Sequence, residues 1–182
     1  MPMPVPTKAS PLRSEQIILF RIGEQLFALS SSSVQEVRSA DSLSGGAYEI
    51  SAPGIDKVRL FVRRGPNTLF LVSGATHFGL SAPDGILAFV LRNTRTALLV
   101  DSIEKMTAMT RLQALPLSFC DDERQWYRGL TALDQTVVPV VRPEGFLSDD
   151  ELMLLDAALP PPELSSEETE VEEDPDFDAD LN

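Results

Sequence analysis

The sequence predicts an all-β fold. One observation predicts the fold class, and two others set the size of the domain and argue against a membrane helix. Short apolar runs rich in Val, Ile, Leu and Phe recur in pairs, and turn-forming residues separate the members of each pair. The 182 residues are 43% apolar, which is enough for one sizeable domain or two small ones. The longest apolar runs, such as ILAFVL, are far shorter than the roughly 20 residues of a membrane helix. Repeated hairpins of this kind are typical of a β-barrel or a β-sandwich.

Four hairpins are predicted in order along the chain. The first covers 17–29 and turns at Gly23-Glu24, where glycine suits the tight turn that matches strand twist. The other three strand pairs are 58–62 with 69–72, 86–91 with 96–100, and 127–133 with 136–141. Pro139 interrupts the last pair and has no amide to donate, so we expect it at a sheet edge or a bulge.

The segment SSVQEVRS, residues 32–39, has two interpretations. As a helix start, Ser33 would cap and Glu36 would return the hydrogen bond. As a strand, it would place Val34, Glu36 and Arg38 on one face. The apolar period of the helix stops at Val37, and a single turn without a buried continuation is weak. We therefore predict a strand.

Three other segments differ from the hairpins. The Ser/Gly-rich stretch 41–54 predicts a long loop, and 103–117 shows no clean period and is interpreted as irregular. Ser148 with Glu151 three residues later predicts a capped helix. Pro160 to Pro162 would end that helix.

Charge is concentrated at the carboxyl end of the chain. The last 23 residues hold ten acidic and no basic side chains, whereas 18 acidic and 15 basic residues precede Pro160. The body is therefore nearly balanced and offers no broad basic surface for nucleic acid. We expect the Pro-rich leader, residues 1–15, and the acidic tail, residues 160–182, to be disordered.

No catalytic constellation is evident. Cys120 is the only cysteine and His77 the only histidine, which excludes an intramolecular disulfide and a multi-histidine metal site. The acidic cluster 121–123 lacks the spacing and turn glycine of a calcium loop. The segment LSGG at 43–46 resembles the signature of transporter-type ATPases. Such enzymes also need a phosphate-binding loop, and the chain has no Gly-Lys pair to form one. We expect neither enzymatic activity nor a cofactor.

The order of the segments resembles the CheW-like family of chemotaxis adaptors, over roughly residues 16–158. The segments that carry the resemblance are ILFRIGEQLFAL, VQEVR, RRG, LLVDSIEKM, YRGLTALDQTVVPVV and FLSDDELMLLDAA. No single segment is a catalytic fingerprint. The ordered set is what resembles the family.

The resemblance implies a fold of two packed SH3-like five-stranded β-barrels within a domain spanning 16–159. The barrels would cover approximately 16–84 and 85–147, with a C-terminal helix over 148–159. Family members are non-enzymatic couplers that join the cytoplasmic tip of chemoreceptors to the regulatory domain of a CheA-type histidine kinase. The resemblance therefore implies a cytoplasmic protein that is recruited to membrane-associated receptor arrays without inserting into the membrane.

The resemblance also implies a receptor-binding face formed by Val34, Glu36 and Arg64. Val34 and Glu36 match positions on the family's receptor face, and Arg64 matches the arginine of its Asn-Leu-Arg-Gly turn. Opposite charges around an apolar patch would give a partner helix both burial and register. The resemblance assigns no residue to kinase binding.

Two departures from the family pattern keep other interpretations open. The turn reads Val62-Arg63-Arg64-Gly65, and Ser73-Gly74 replaces the usual Asp-Leu. Arg64 would alternatively be a solvated hairpin residue, and Glu36 would pair with its neighbours on the sheet. Alternative functions are a diverged regulator that binds the kinase but not receptors, or a small-molecule or enzymatic barrel. The barrel would use Cys120, His77 or residues 121–123.

Overall fold

The computed structural model of the protein describes residues 14–162. Residues 1–13 of the Pro-rich leader and residues 163–182 of the acidic tail lie outside the described residues, and so do the predictions of disorder made for them. Glu15, which was expected to be disordered with the leader, is instead the first residue of the first strand. Within 14–162 no helix is long and apolar enough to cross a membrane.

Strands dominate the described part of the chain, which confirms the all-β prediction. The strands are β1 (Glu15–Ile22), β2 (Gln25–Ser30), β3 (Val34–Ser39), β4 (Ala47–Glu49), β5 (Val58–Arg64), β6 (Asn67–Ser73), β7 (Leu87–Leu91), β8 (Thr96–Val100), β9 (Ser102–Met109), β10 (Tyr127–Leu133) and β11 (Thr136–Val141). The helices are α1 (Ala40–Ser44), α2 (Gly74–His77), α3 (Asp121–Trp126) and α4 (Asp149–Ala158). All four predicted hairpins are present, and a 3-10 turn over Ser31–Ser33 leads into β3 as predicted.

The strands form two sheets. Sheet 1 has the order β10-β11-β2-β1-β9, and sheet 2 has the order β3-β7-β8-β6-β5-β4. The chain therefore begins in sheet 1, builds sheet 2 with six consecutive strands and returns to sheet 1. The expected boundary near residue 84 does not coincide with the division between the sheets, because β1 and β2 pair with β9 and β11.

Both sheets curl until their ends approach each other. In sheet 1 the chain beyond β9 bridges to β10, where Gln113 and Leu130 exchange two backbone hydrogen bonds of 2.7 and 2.9 Å. In sheet 2 the side chains of Glu36 on β3 and Arg64 on β5 meet. The buried side chain of Leu43 in α1 packs against the core of sheet 2. Two packed, curled sheets agree with the predicted fold class, although sheet 2 has six strands where five were expected.

Apolar side chains form three cores. One lies on the inner side of sheet 1, one on the inner side of sheet 2, and the largest lies between the sheets. The buried phenylalanines of the shared core are Phe20, Phe27, Phe61, Phe70, Phe89 and Phe146. Both faces of the central strands are therefore buried, which explains why their sequences are almost continuously apolar.

Two segments differ from their predictions. The expected loop over 41–54 contains most of α1 and all of β4, because Ser39 caps α1 and Leu43 is buried beneath it. The stretch 103–117, interpreted as irregular, contains most of β9. Four of the eight side chains of β9 are exposed and only one is buried, so the pairing of β9 with β1 leaves little hydrophobic periodicity in its sequence.

Pro139 was expected at a sheet edge or a bulge, but β11 lies between β10 and β2. Leu130 is the cross-strand partner of Pro139, and its backbone N–H and C=O groups both form hydrogen bonds with Gln113. The missing amide of Pro139 therefore removes no hydrogen bond between β10 and β11.

Helix α4 begins at the predicted cap. The amide of Glu151 donates to Ser148 Oγ at 3.1 Å, and the amide of Ser148 donates to Glu151 Oε2 at 2.9 Å. Leu155 is fully buried in the shared core. Lys57 binds Glu151 at 2.7 Å, and Arg95 holds both carboxylate oxygens of Asp156. Packing and charge thus fix α4 against the body.

Candidate functional site

A bulge in β3 decides which way the predicted receptor residues face. Val34 stands opposite Leu91 and Glu36 stands opposite Val90, so Gln35 is an extra residue without a partner on β7. Neighbouring residues on β7 point to opposite faces. Val34 and Glu36 therefore face opposite sides of the sheet, and the prediction that they share a face is wrong.

The two faces differ in their surroundings. Val34 points into the core between the sheets and exposes 9% of its surface. Glu36 and Arg38 lie opposite Val90 and Ala88, whose side chains belong to the core of sheet 2. The predicted common face of Glu36 and Arg38 is thus observed, whereas Val34 lies behind it.

The hairpin of β5 and β6 brings Arg64 to the same surface. Arg64 pairs with Asn67 across a turn in which Gly65 has a φ of +57°, a value that glycine adopts without strain. Because side chains alternate along β5, Arg64 shares a face with Val62, and Arg63 points to the other face. The changed turn sequence therefore still presents an arginine at this position.

Glu36 and Arg64 bind each other directly. Arg64 Nη1 lies 2.6 Å from Glu36 Oε1, and Arg38 Nε lies 3.1 Å from Glu36 Oε2. The side chains of Glu36 and Arg64 remain 30% and 34% exposed. The hydrogen bond from Arg64, with a further one from Arg38, lowers the pKa of Glu36 below its usual range. The two charges meet as one ion pair, rather than standing apart around an apolar patch as expected.

The second departure from the family pattern preserves the local structure. Ser73 Oγ accepts a hydrogen bond of 3.2 Å from the amide of Thr76 and so caps α2, which is a role that aspartate also fills. A Cβ on Gly74 would lie 2.5 Å from Ile22 Cδ1 and 2.7 Å from the carbonyl oxygen of Leu99. Glycine is therefore required by the close approach of β8 and the first hairpin.

The residues of the small-molecule alternative lie in different environments. His77 is 6% exposed, and its ring packs against Phe78, Trp126 and Phe146. Burial, together with the nearby Lys57 ammonium, lowers the pKa of His77 to about 3. The histidine is thus a neutral core residue.

Cys120 is exposed, and residues 121–123 form the first turn of α3 instead of the solvated loop that was expected. Carboxylates are favourable in the first turn of a helix because its dipole is positive there. Across residues 14–162 no three His, Cys, Asp or Glu side chains converge as a metal site.

One cluster was not predicted from the sequence. His77 Nδ1 lies 3.4 Å from Lys57 Nζ, and the same ammonium binds Glu151 at the start of α4. A pocket of about 230 Å³ adjoins the three side chains. Their positions in the chain carry no spacing signal, because each is contributed by a different element.

The chain is similar to known proteins over most of its length. The family model described as CheW-like domain matches residues 16–151. A curated relative, "Probable chemotaxis protein CheW" of Rhizobium etli, is 28% identical over 147 residues, which cover 75% of this chain and 89% of the relative. The crystal structure of the scaffolding protein TtCheW from Thermoanaerobacter tengcongensis superposes with a TM-score of 0.61 at 13% identity, covering 80% of this chain and 94% of that one.

Proposed function

This chain belongs to the CheW-like domain family, and from that membership we propose that it is a non-enzymatic adaptor between chemoreceptors and a CheA-type histidine kinase. The family match spans strands of both sheets and reaches into α4. The name of the Rhizobium relative supports a role in chemotaxis, and the Thermoanaerobacter structure, which is that of a scaffolding protein, supports the fold. We place the protein in the cytoplasm, at receptor arrays.

The exposed Glu36–Arg64 pair is the observation that carries this proposal. We propose that the cytoplasmic tip of a chemoreceptor, a helical bundle, docks over this pair. Both side chains are about one-third exposed and their heads are oriented by each other, so a charged partner meets a fixed arrangement. Such an arrangement sets the register of a helix more than it adds affinity.

Val34 has a different part in this proposal. Its side chain is buried behind the pair and would not contact a partner. Val34 would affect binding only by fixing the position of β3. Its predicted role in receptor binding stays a prediction. The kinase regulatory domain would bind elsewhere on the barrels, and no residue is assigned to it.

The test is binding of the purified chain to a chemoreceptor tip fragment and, separately, to the kinase regulatory domain. Three proteins are compared: wild type, Arg64→Glu, and the charge swap Glu36→Arg with Arg64→Glu. The swap rebuilds an ion pair with reversed polarity and so controls for loss of structure. We expect both variants to lose at least tenfold in receptor affinity and to keep kinase affinity.

A second candidate function is a diverged regulator that binds the kinase alone. Arg64 is already bound to a carboxylate of its own chain, and the preceding residues differ from the family turn. Wild-type binding to the kinase domain without any binding to receptor tips would establish this alternative. Binding of wild type to neither partner would contradict both functions.

A further inference from the structure

Two arginines hold the end of α4. Arg63 lies over the ring of Phe61 at 5.6 Å, and Arg95 lies over the ring of Phe70 at 4.9 Å. The two phenylalanines are partners on β5 and β6. Arg95 binds both oxygens of Asp156, and Arg63 Nη2 donates to the carbonyl oxygen of Pro160 at 2.5 Å.

Of these two arginines, Arg95 has an acidic partner, whereas Arg63 has none within residues 14–162. Asp156 neutralises Arg95, and hydrogen bonds from that guanidinium lower the pKa of the carboxyl group. Arg63 is exposed and, among residues 14–162, contacts a carbonyl and an aromatic ring without an acidic partner. A positive charge without a carboxylate thus stands where the described chain ends.

The sequence that follows carries the complementary charge. Glu163 comes three residues after Pro160, and 163–182 contains ten acidic residues and no basic one. For a random-coil chain in general, twenty residues correspond to an end-to-end distance of roughly 25 Å. Arg64 follows Arg63 directly, so its Cα lies within about 4 Å of its neighbour's. The Arg63 and Arg64 side chains point to opposite faces of β5. Their guanidinium groups are nevertheless separated by less than the roughly 25 Å that twenty random-coil residues span, so the Glu36–Arg64 pair is within reach of the tethered acidic groups.

We propose that the acidic segment 163–182 binds in cis at Arg63 and screens the neighbouring Glu36–Arg64 pair from acidic partners. A segment that is covalently attached a few residues from its site has an effective concentration on the order of millimolar, so even a weak contact is populated. The contact is electrostatic and exposed, and it weakens as salt rises. The screening part rests on the proposed receptor function, whereas the cis contact does not.

The first test needs no partner. NMR signals of the Arg63 and Arg64 backbone amides and guanidinium Nε–H groups are compared between the full chain and a full-length variant with all ten acidic residues of 163–182 changed to Gln or Asn. We expect shift differences at about 20 mM salt that vanish near 1 M, where the Debye length is about 3 Å. Identical signals at low salt would overturn the cis contact.

A matched pair of variants locates the contact. Arg63→Gln removes the arginine at the chain exit, and Arg111→Gln removes an exposed arginine that follows β9 on sheet 1. In Arg63→Gln, tail neutralisation should no longer shift the Arg64 signals, whereas in Arg111→Gln it still should. Equal effects of the two variants would mean diffuse attraction instead of a site, and would contradict the proposal.

The second test measures receptor binding. We expect the tail-neutral variant to bind a receptor tip fragment roughly fivefold tighter than wild type at low salt, a coupling at the lower end of the usual range. Unchanged affinity would overturn the screening. If neither protein binds the fragment, the receptor function fails, and the NMR comparison still decides the cis contact.

Discussion

Glu36 and Arg64 are 2.6 Å apart although three strands separate their own strands in the sheet. In a flat sheet β3 and β5 would lie about 19 Å apart, since neighbouring strands are spaced by roughly 4.8 Å. The ion pair therefore shows that sheet 2 is strongly curled. It joins the edge strand β3 to β5, the strand next to the opposite edge, at the surface where we place the receptor.

The ion pair should contribute little to stability. Both side chains are partly exposed, and exposed pairs are typically worth about 0.2–1 kcal/mol. We expect Glu36→Gln to lower the free energy of unfolding by that amount, as measured by urea denaturation. The matched control is Glu49→Gln, an exposed glutamate on β4 of the same sheet that forms no ion pair within residues 14–162. A loss above about 2 kcal/mol would show that this contact, and not core packing, closes the barrel.

The bulge at Gln35 predicts an asymmetry between two deletions. Without Gln35, Val34 and Glu36 become consecutive and pair with Leu91 and Val90 as in a regular ladder. Without Val37, every residue on one side of the deletion moves to the opposite face. We expect the Gln35 deletion to fold with an intact Glu36–Arg64 pair and the Val37 deletion to be strongly destabilised, as measured by thermal unfolding. Equal losses in both would contradict the assigned bulge.

His77 should make stability depend on pH. Its pKa is about 3 in the folded chain and about 6.5 when unfolded, so below pH 6.5 only the unfolded chain takes up the proton. Stability therefore falls as pH drops from 6.5 toward 3, by about 2 kcal/mol at pH 5 relative to pH 7.5. In His77→Phe this loss should disappear from urea denaturation curves at the two pH values. A parallel loss in both proteins would assign the acid sensitivity to other groups.

Gly85 should be intolerant of any side chain. A Cβ there would lie 2.2 Å from the backbone carbonyl group of Val100, and backbone cannot move aside as a side chain can. We expect Gly85→Ala to cost about 3 kcal/mol or more. Gly46→Ala, whose Cβ would meet nothing within 4 Å, is the control and should be nearly neutral in thermal unfolding. Similar melting temperatures for the two variants would refute the close approach of these segments.

Local signals account for what the sequence predicted. Each of the four hairpins joins two apolar runs that are neighbours in the sequence, and residues within the turn itself determine its conformation. Asn93, Asp134 and Gln135 are examples, since their φ angles are all positive. The cap of α4 is equally local, since Ser148 and Glu151 are three residues apart. These elements need no knowledge of the rest of the chain.

Features set by distant partners were not predicted. The bulge at Gln35 exists because β3 pairs with β7, more than 50 residues away, and nothing in VQEVR marks the extra residue. β9 is a strand because β1 lies beside it, although only one of its eight side chains is buried. Glu36 and Arg64 were chosen from a family resemblance, and only the curvature of sheet 2 reveals that they bind each other.

The order of the strands along the chain determines which sheet can form first. All strands of sheet 2 lie within residues 34–100, so this sheet can be completed from one continuous stretch. Sheet 1 joins β2 to β11 through Ala28 and Val140, and this long separation slows its closure. We expect the first hairpin to keep both edges unpaired during synthesis until β9 and β11 have been made, and unpaired edges invite association with other chains. The segments that finish sheet 1 therefore also end the period in which the newborn chain is most exposed to aggregation.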